Sequence, residues 1–178
     1  LTDKDIRSAL LQAGIPRRYH GKYRAVNETG YGDTIRQWIR DLAPFVVPQY
    51  TTEEDDIKGL FFYGDAAIDA LYLTARGLLV SGISAKVFTL PDLFDIDLRE
   101  TARDMDNLVV GIVGYNEEGI KYPGDQERIY AVQWWITKLI NAGKVMLLQG
   151  EHEPEIDKDW WGRGLSRLVK RTSTILEC

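Results

Sequence analysis

From Gly59 onward, apolar runs of four to six residues, too short for helices, alternate with longer stretches whose apolar positions recur every three or four residues. The short runs predict strands at Leu60–Tyr63, Lys86–Leu90, Leu108–Val113, Lys144–Leu148 and Thr172–Leu176. The longer stretches predict helices over about Ala66–Val80, Arg128–Asn141, closed by Gly143, and Trp161–Lys170. The strand runs are continuously apolar rather than alternating, which is the pattern of strands buried on both faces of a parallel sheet. This alternation of strand and helix is that of a three-layer α/β domain. Within the Arg128 helix, Ile129, Val132, Trp135, Ile136, Leu139 and Ile140 form the inward stripe. Trp134 is left to its side as an exposed aromatic and a candidate partner contact.

Ahead of Gly59 the pattern is helical. Thr2 and Asp5 form a capping box before Ile6, Ala9, Leu10 and Ala13, and Gly14 and Pro16 end that helix. Asp33 caps a second helix, with Ile35, Trp38, Ile39 and Leu42 on one face and Pro44 beyond its end. Thr51–Lys58 is a polar connector. Residues 1–58 therefore read as helices and a leading segment, and 59–178 as the α/β core.

With 178 residues, 44% of them hydrophobic and 28% charged, the chain can bury one sizeable core, and one domain is the expectation. Cys178 is the only cysteine and there are two histidines, so neither an internal disulfide nor a zinc ligand set can be assembled, and no metal is expected. No apolar run reaches the roughly 20 residues that span a bilayer, and no signal-peptide pattern opens the chain, so a cytoplasmic location is expected. A net charge of −5 removes any global pull toward nucleic acid, leaving only local basic patches. The first residue is Leu1 rather than Met, which leaves room for a preceding segment.

The stretch Gly64-Asp65-Ala66-Ala67-Ile68-Asp69-Ala70-Leu71 follows a strand and opens a helix, as a phosphate-binding P-loop does. Its side chains do not suit that role. Ala70 and Leu71 stand where Lys would reach the phosphates and Ser/Thr would hold Mg²⁺, and Asp65 and Asp69 add negative charge.

Several segments fall into register with one family. Gly14-Ile15-Pro16-Arg17-Arg18-Tyr19 looks like a "GIPxRY/F" segment, Val87 to Phe94 is similar to "hhhTxxDLh", and Asp106 to Gly114 resembles the Walker B strand "DLLVIDDLG". Gly162 to Leu168 is similar to "GERhxSRL". Together they resemble the AAA+ helicase loaders typified by DnaC and the IstB-like transposition ATPases, from about Gly14 to the end of the chain. The resemblance implies a P-loop NTPase-like fold with a mostly parallel five-stranded sheet and little or no C-terminal lid. In its frame the acidic Walker B pair is Gly111 and Ile112, and Gln149 takes the place of the sensor Asn. Walker A and Walker B have lost their polar residues together, so the expectation is an inactive ATPase that binds ATP and Mg²⁺ weakly or not at all.

By the same resemblance, Arg163 is similar to an arginine finger, with Arg167 four residues on. The competing reading is a solvated helix face of Arg163, Arg167, Lys170 and Arg171, a common pattern. Arg17, Arg18, Tyr19, Lys22 and Arg24 can meet phosphates with aromatic stacking, or form a packed loop; the acidic chain favours the loop. Glu151 to Glu155 lacks the one-face spacing of metal ligands and reads as a polar loop. The implied partner is a replicative DnaB-type helicase or another AAA+ protein, with single-stranded DNA and self-association as further candidates. The alternative is an IstB-like DNA-binding regulator of replication or transposition.

Overall fold

The computed structural model describes residues 3–21, 32–42, 58–114, 125–154 and 158–178. In chain order the elements are α1 (Asp3–Gln12), a 3-10 turn (Arg17–Tyr19), α2 (Gly32–Leu42), β1 (Gly59–Tyr63), α3 (Ala67–Val80) and β2 (Ala85–Thr89). They continue with α4 (Leu90–Asp95), α5 (Leu98–Asp104), β3 (Val109–Val113), α6 (Asp125–Asn141), β4 (Val145–Gly150), α7 (Lys158–Thr172) and β5 (Ser173–Glu177). All five strands are parallel, in the order β2-β3-β4-β1-β5.

Successive side chains of a strand point to opposite faces, so each strand feeds two cores. Leu60 and Phe62 of β1 join one cluster with α1, α2 and α3, while Phe61 joins the other with α4, α5, α6 and α7. The inward stripe of α6 is buried from Ile129 through Leu139, and Trp135 and Ile136 are fully covered. The two clusters make the three layers.

Three expectations need correction. Leu90 opens α4 instead of ending β2, because Thr89 forms a capping box with Asp92 and Pro91 occupies the first turn. Asp33 lies inside the first turn of α2, ion-paired with Arg36, rather than capping from outside. Arg17–Tyr19 is a helical turn and not a loop. Thr2 lies outside the described residues.

The leading segment is fastened to the sheet edge. The Val87 N–H of β2 donates to the Ala13 carbonyl at 2.7 Å, so an edge that would otherwise be open is partly covered. Gly14 follows in the left-handed region with φ +80°, and a Cβ there would overlap the Val87 carbonyl oxygen.

Tyr19 is fully buried, stacked on Tyr72 with ring centroids 4.9 Å apart, and its hydroxyl donates to Asp69. Burial first, and then the Asp69 carboxylate, push the Tyr19 phenol up to about 12. Its proton is therefore held in the folded chain at pH values where an unfolded tyrosine, near 10, has lost it. Stability from this group is present below pH 10 and drains away as the pH rises toward 12. In Tyr19→Phe, thermal melts between pH 9 and 12 are expected to show a shallower alkaline decline. At neutral pH the lost hydrogen bond costs about 1 kcal/mol.

Candidate functional site

In an open parallel sheet, ligands bind at the carboxyl ends of the strands where neighbouring connections leave for opposite faces. Here that point lies between β1, which leads into α3, and β4, which leads toward α7 on the other face. Gly64, Asp65 and Ala66 are all that separate β1 from α3. Gly64 takes φ +97°, and a Cβ there would overlap the backbone oxygen of Cys178. β5 brings Cys178 to this position by running beside β1, with Tyr63 opposite Glu177. The Cys178 N–H donates to the Tyr63 carbonyl at 2.7 Å, and its oxygen accepts from the Ala66 N–H at 3.2 Å. The Ala67 N–H turns back to the Gly64 carbonyl at 3.2 Å. Two backbone donors of this turn are thus satisfied within the chain.

The neighbouring strand ends are closed in the same way. Gln149 is buried at the end of β4, where its Oε1 accepts from the Gly114 N–H at 2.8 Å and its Nε2 donates to the Gly150 carbonyl at 3.2 Å. Gly111 faces Val87 on the adjacent strand, leaving little space for a larger residue, and Ile112 is fully buried in the second core. The rim is acidic. Tyr63 Oη donates toward Glu177 at 3.2 Å and Glu153 at 3.3 Å, and Asp65 and Glu151 are exposed beside these segments. Desolvation, then Glu177 and Glu153, push the Tyr63 phenol up to about 12, so it remains a neutral donor.

No protein-family model matches the sequence, and no curated protein matches it. Solved structures do match. The DnaC helicase loader superimposes with a TM-score of 0.60 at 15% identity, covering 91% of this chain and 99% of that one. DnaI gives 0.59 at 12% identity, over 93% and 95% of the two chains. AMPPCP-bound DnaA from Aquifex aeolicus gives 0.59 at 13% identity over 92% of this chain, which spans 50% of the DnaA chain. The fold is that of the DnaC and DnaI structures. The likeness is one of fold, at identities where most side chains have diverged.

Within the DnaC-type frame, the eight positions Gly64–Leu71 do not remain a loop: α3 has begun by Ala67, and Ala70 and Leu71 are fully buried. Asp69 is directed to Tyr19. Tyr19 itself is a core residue, which removes it from the candidate contact surface, because a ring already stacked on Tyr72 has no accessible face to offer. Arg17 and Arg18 are exposed, with the Arg18 guanidinium 4.8 Å from the Tyr19 ring centroid. Lys22 and Arg24 lie outside the described residues. Arg163 falls in α7, but its side chain lies outside the described part. Arg167, Lys170 and Arg171 are exposed on that helix. Arg171 lines a cavity of about 510 Å³ at the amino ends of β1 and β4, opposite the crevice, together with Lys58 and Lys144. Trp134 is exposed, at 43%.

Sequence reasoning missed the Tyr63, Glu153 and Glu177 group and the cover that Cys178 places on Gly64. No local signal links residues 114 positions apart. Among the described residues no group of three His, Cys, Asp or Glu could hold a metal ion, and no helix is long and apolar enough to cross a membrane.

Proposed function

We propose that this protein is a replication factor of the helicase-loader kind, which engages a replicative helicase or another AAA+ protein and does not hydrolyse ATP. The observation that carries this reading is the turn between β1 and α3. A DnaC-type fold supplies the frame, yet Ala70 and Leu71, which stand at the Lys and Ser/Thr positions, are buried in the core. A Mg²⁺-nucleotide does not fit these residues. Its phosphates need backbone donors, an ammonium and a hydroxyl at the helix start. Here the Ala66 N–H is taken by Cys178, and the rim carries Glu153 and Glu177. The Walker B frame offers Gly111 and Ile112 where a metal ion would need carboxylates.

The test is calorimetric titration of the purified protein with ATP and Mg²⁺, with binding of a replicative helicase measured beside it with and without nucleotide. No heat with ATP and nucleotide-independent helicase binding are expected. Micromolar ATP binding, or any turnover, sinks the reading. Binding of neither, together with salt-sensitive DNA binding, would favour the IstB-like regulator.

A further inference from the structure

The second face of the domain carries a groove that shares no lining residue with the crevice. It lies where α4 and α5 pack against α6, has a volume of about 520 Å³, and is floored by Leu93, Phe94, Ile96, Leu98, Ala131 and Trp134. The size is that of a ligand-binding cleft. Trp134 is 43% exposed, and Tyr130, one turn before it on the same face of α6, is 58% exposed. Adjacent exposed aromatics of this size on a helix are what interfaces use as anchors. Cations surround them. Arg99 and Arg128 line the groove, the Arg128 guanidinium lies 5.9 Å from the Phe94 ring centroid, and Lys138 Nζ lies 5.8 Å from that of Trp134. Asp97 is the only anion in the lining, and its Oδ1 is already committed to the backbone N–H groups of Arg99 at 2.9 Å and Glu100 at 3.2 Å, capping α5.

We infer that this groove docks an acidic amphipathic helix presented by another protein, with apolar side chains one turn apart seated between Phe94 and Trp134 and flanking carboxylates paired with Arg99, Arg128 and Lys138. Charge complementarity selects the occupant: the chain carries −5 overall, yet this lining sets two guanidiniums, Arg99 and Arg128, against the single carboxylate of Asp97. The floor selects a helix over a nucleic-acid strand. Bases need open, flat aromatic faces, whereas Arg128 and Lys138 already stand over these rings and the remaining floor is aliphatic. Apolar side chains at helical spacing suit such a floor.

The probe is a short fluorescein-labelled synthetic helix with Leu and Phe at i, i+4 and i+7 and glutamates on both flanks. A twin carries lysine for every glutamate. By anisotropy, the acidic peptide is expected to bind the full chain and the lysine twin to bind at least tenfold more weakly. Trp134→Ala and Arg128→Glu should each weaken the acidic peptide roughly tenfold or more. Both side chains are exposed, so melting temperatures should stay near wild type; if Trp134→Ala lowers its own, Arg128→Glu decides. Equal affinity for the twins, no binding, or indifference to both variants would overturn the inference. So would an oligothymidylate whose binding both variants abolish, or a dimer that both variants dissolve, since these assign the groove to nucleic acid or to a second copy. ATP calorimetry does not touch this surface, so this inference and the nucleotide reading fail separately.

Discussion

Ala70→Lys combined with Leu71→Thr, which places a lysine and a threonine where a P-loop would carry them, is expected to unfold the domain rather than create an ATPase. Both positions are fully buried on α3, inside the cluster that joins that helix to β1 and β4. Replacing a buried leucine by a smaller residue costs about 2–5 kcal/mol, and threonine adds a hydroxyl to be satisfied. Forcing a lysine stem into a packed site costs about 1–3 kcal/mol more, and an unpaired ammonium there adds several. Domains of this size have about 5–15 kcal/mol in total. Urea denaturation should show loss of the cooperative transition, with no ATP turnover in any folded fraction. Leu71→Met, of similar volume, should cost less than about 1.5 kcal/mol and serves as the packing control. A double variant that melts like wild type would show that the helix start can yield to a phosphate loop, and a nucleotide-binding model would return.

Gly14→Ala is expected to produce a large loss of stability for the addition of a single methyl group. At φ +80° an alanine is strained by about 1–2 kcal/mol, and its Cβ would overlap the Val87 backbone oxygen on β2. Backbone cannot step aside as a flexible side chain can, so the segment must lift and strain the 2.7 Å bond from the Val87 N–H to the Ala13 carbonyl. A loss of about 2–4 kcal/mol follows, equivalent to roughly 5–15 °C in Tm for a chain of this length. Gly82 supplies the comparison: its φ is +81°, but a Cβ there meets nothing within 4 Å, so Gly82→Ala should carry the backbone strain alone. Equal losses in the two variants would show that the contact with β2 contributes nothing.

The two substitutions probe different kinds of information. Helix and strand periods are local, and they located all five strands and the helices α1, α2, α3, α6 and α7, because burial on one face or on both leaves a repeat within a single element. α4 and α5 escaped, because six and seven residues are too few to establish a stripe. The absence of Lys and Ser/Thr from Gly64–Leu71 was equally legible, since it is a matter of which atoms the chain possesses. The start of α3 was legible to within a residue, but the cover over the turn before it was not: that Cys178 lies against Gly64 follows from pairing β5 beside β1. Tyr19 shows the same division. Its neighbours Arg17 and Arg18 mark a basic and aromatic surface, but the ring is buried because α3 presents Asp69 and Tyr72 to it from 50 and more residues away. The sequence by itself determined the elements, the parallel sheet and the lack of Lys, Ser and Thr in Gly64–Leu71, because periodicity and side-chain inventory are properties of the chain alone. Only the tertiary structure decided which donors are already satisfied, which aromatics reach solvent and where the cations gather, because each depends on contacts between segments that no local pattern encodes.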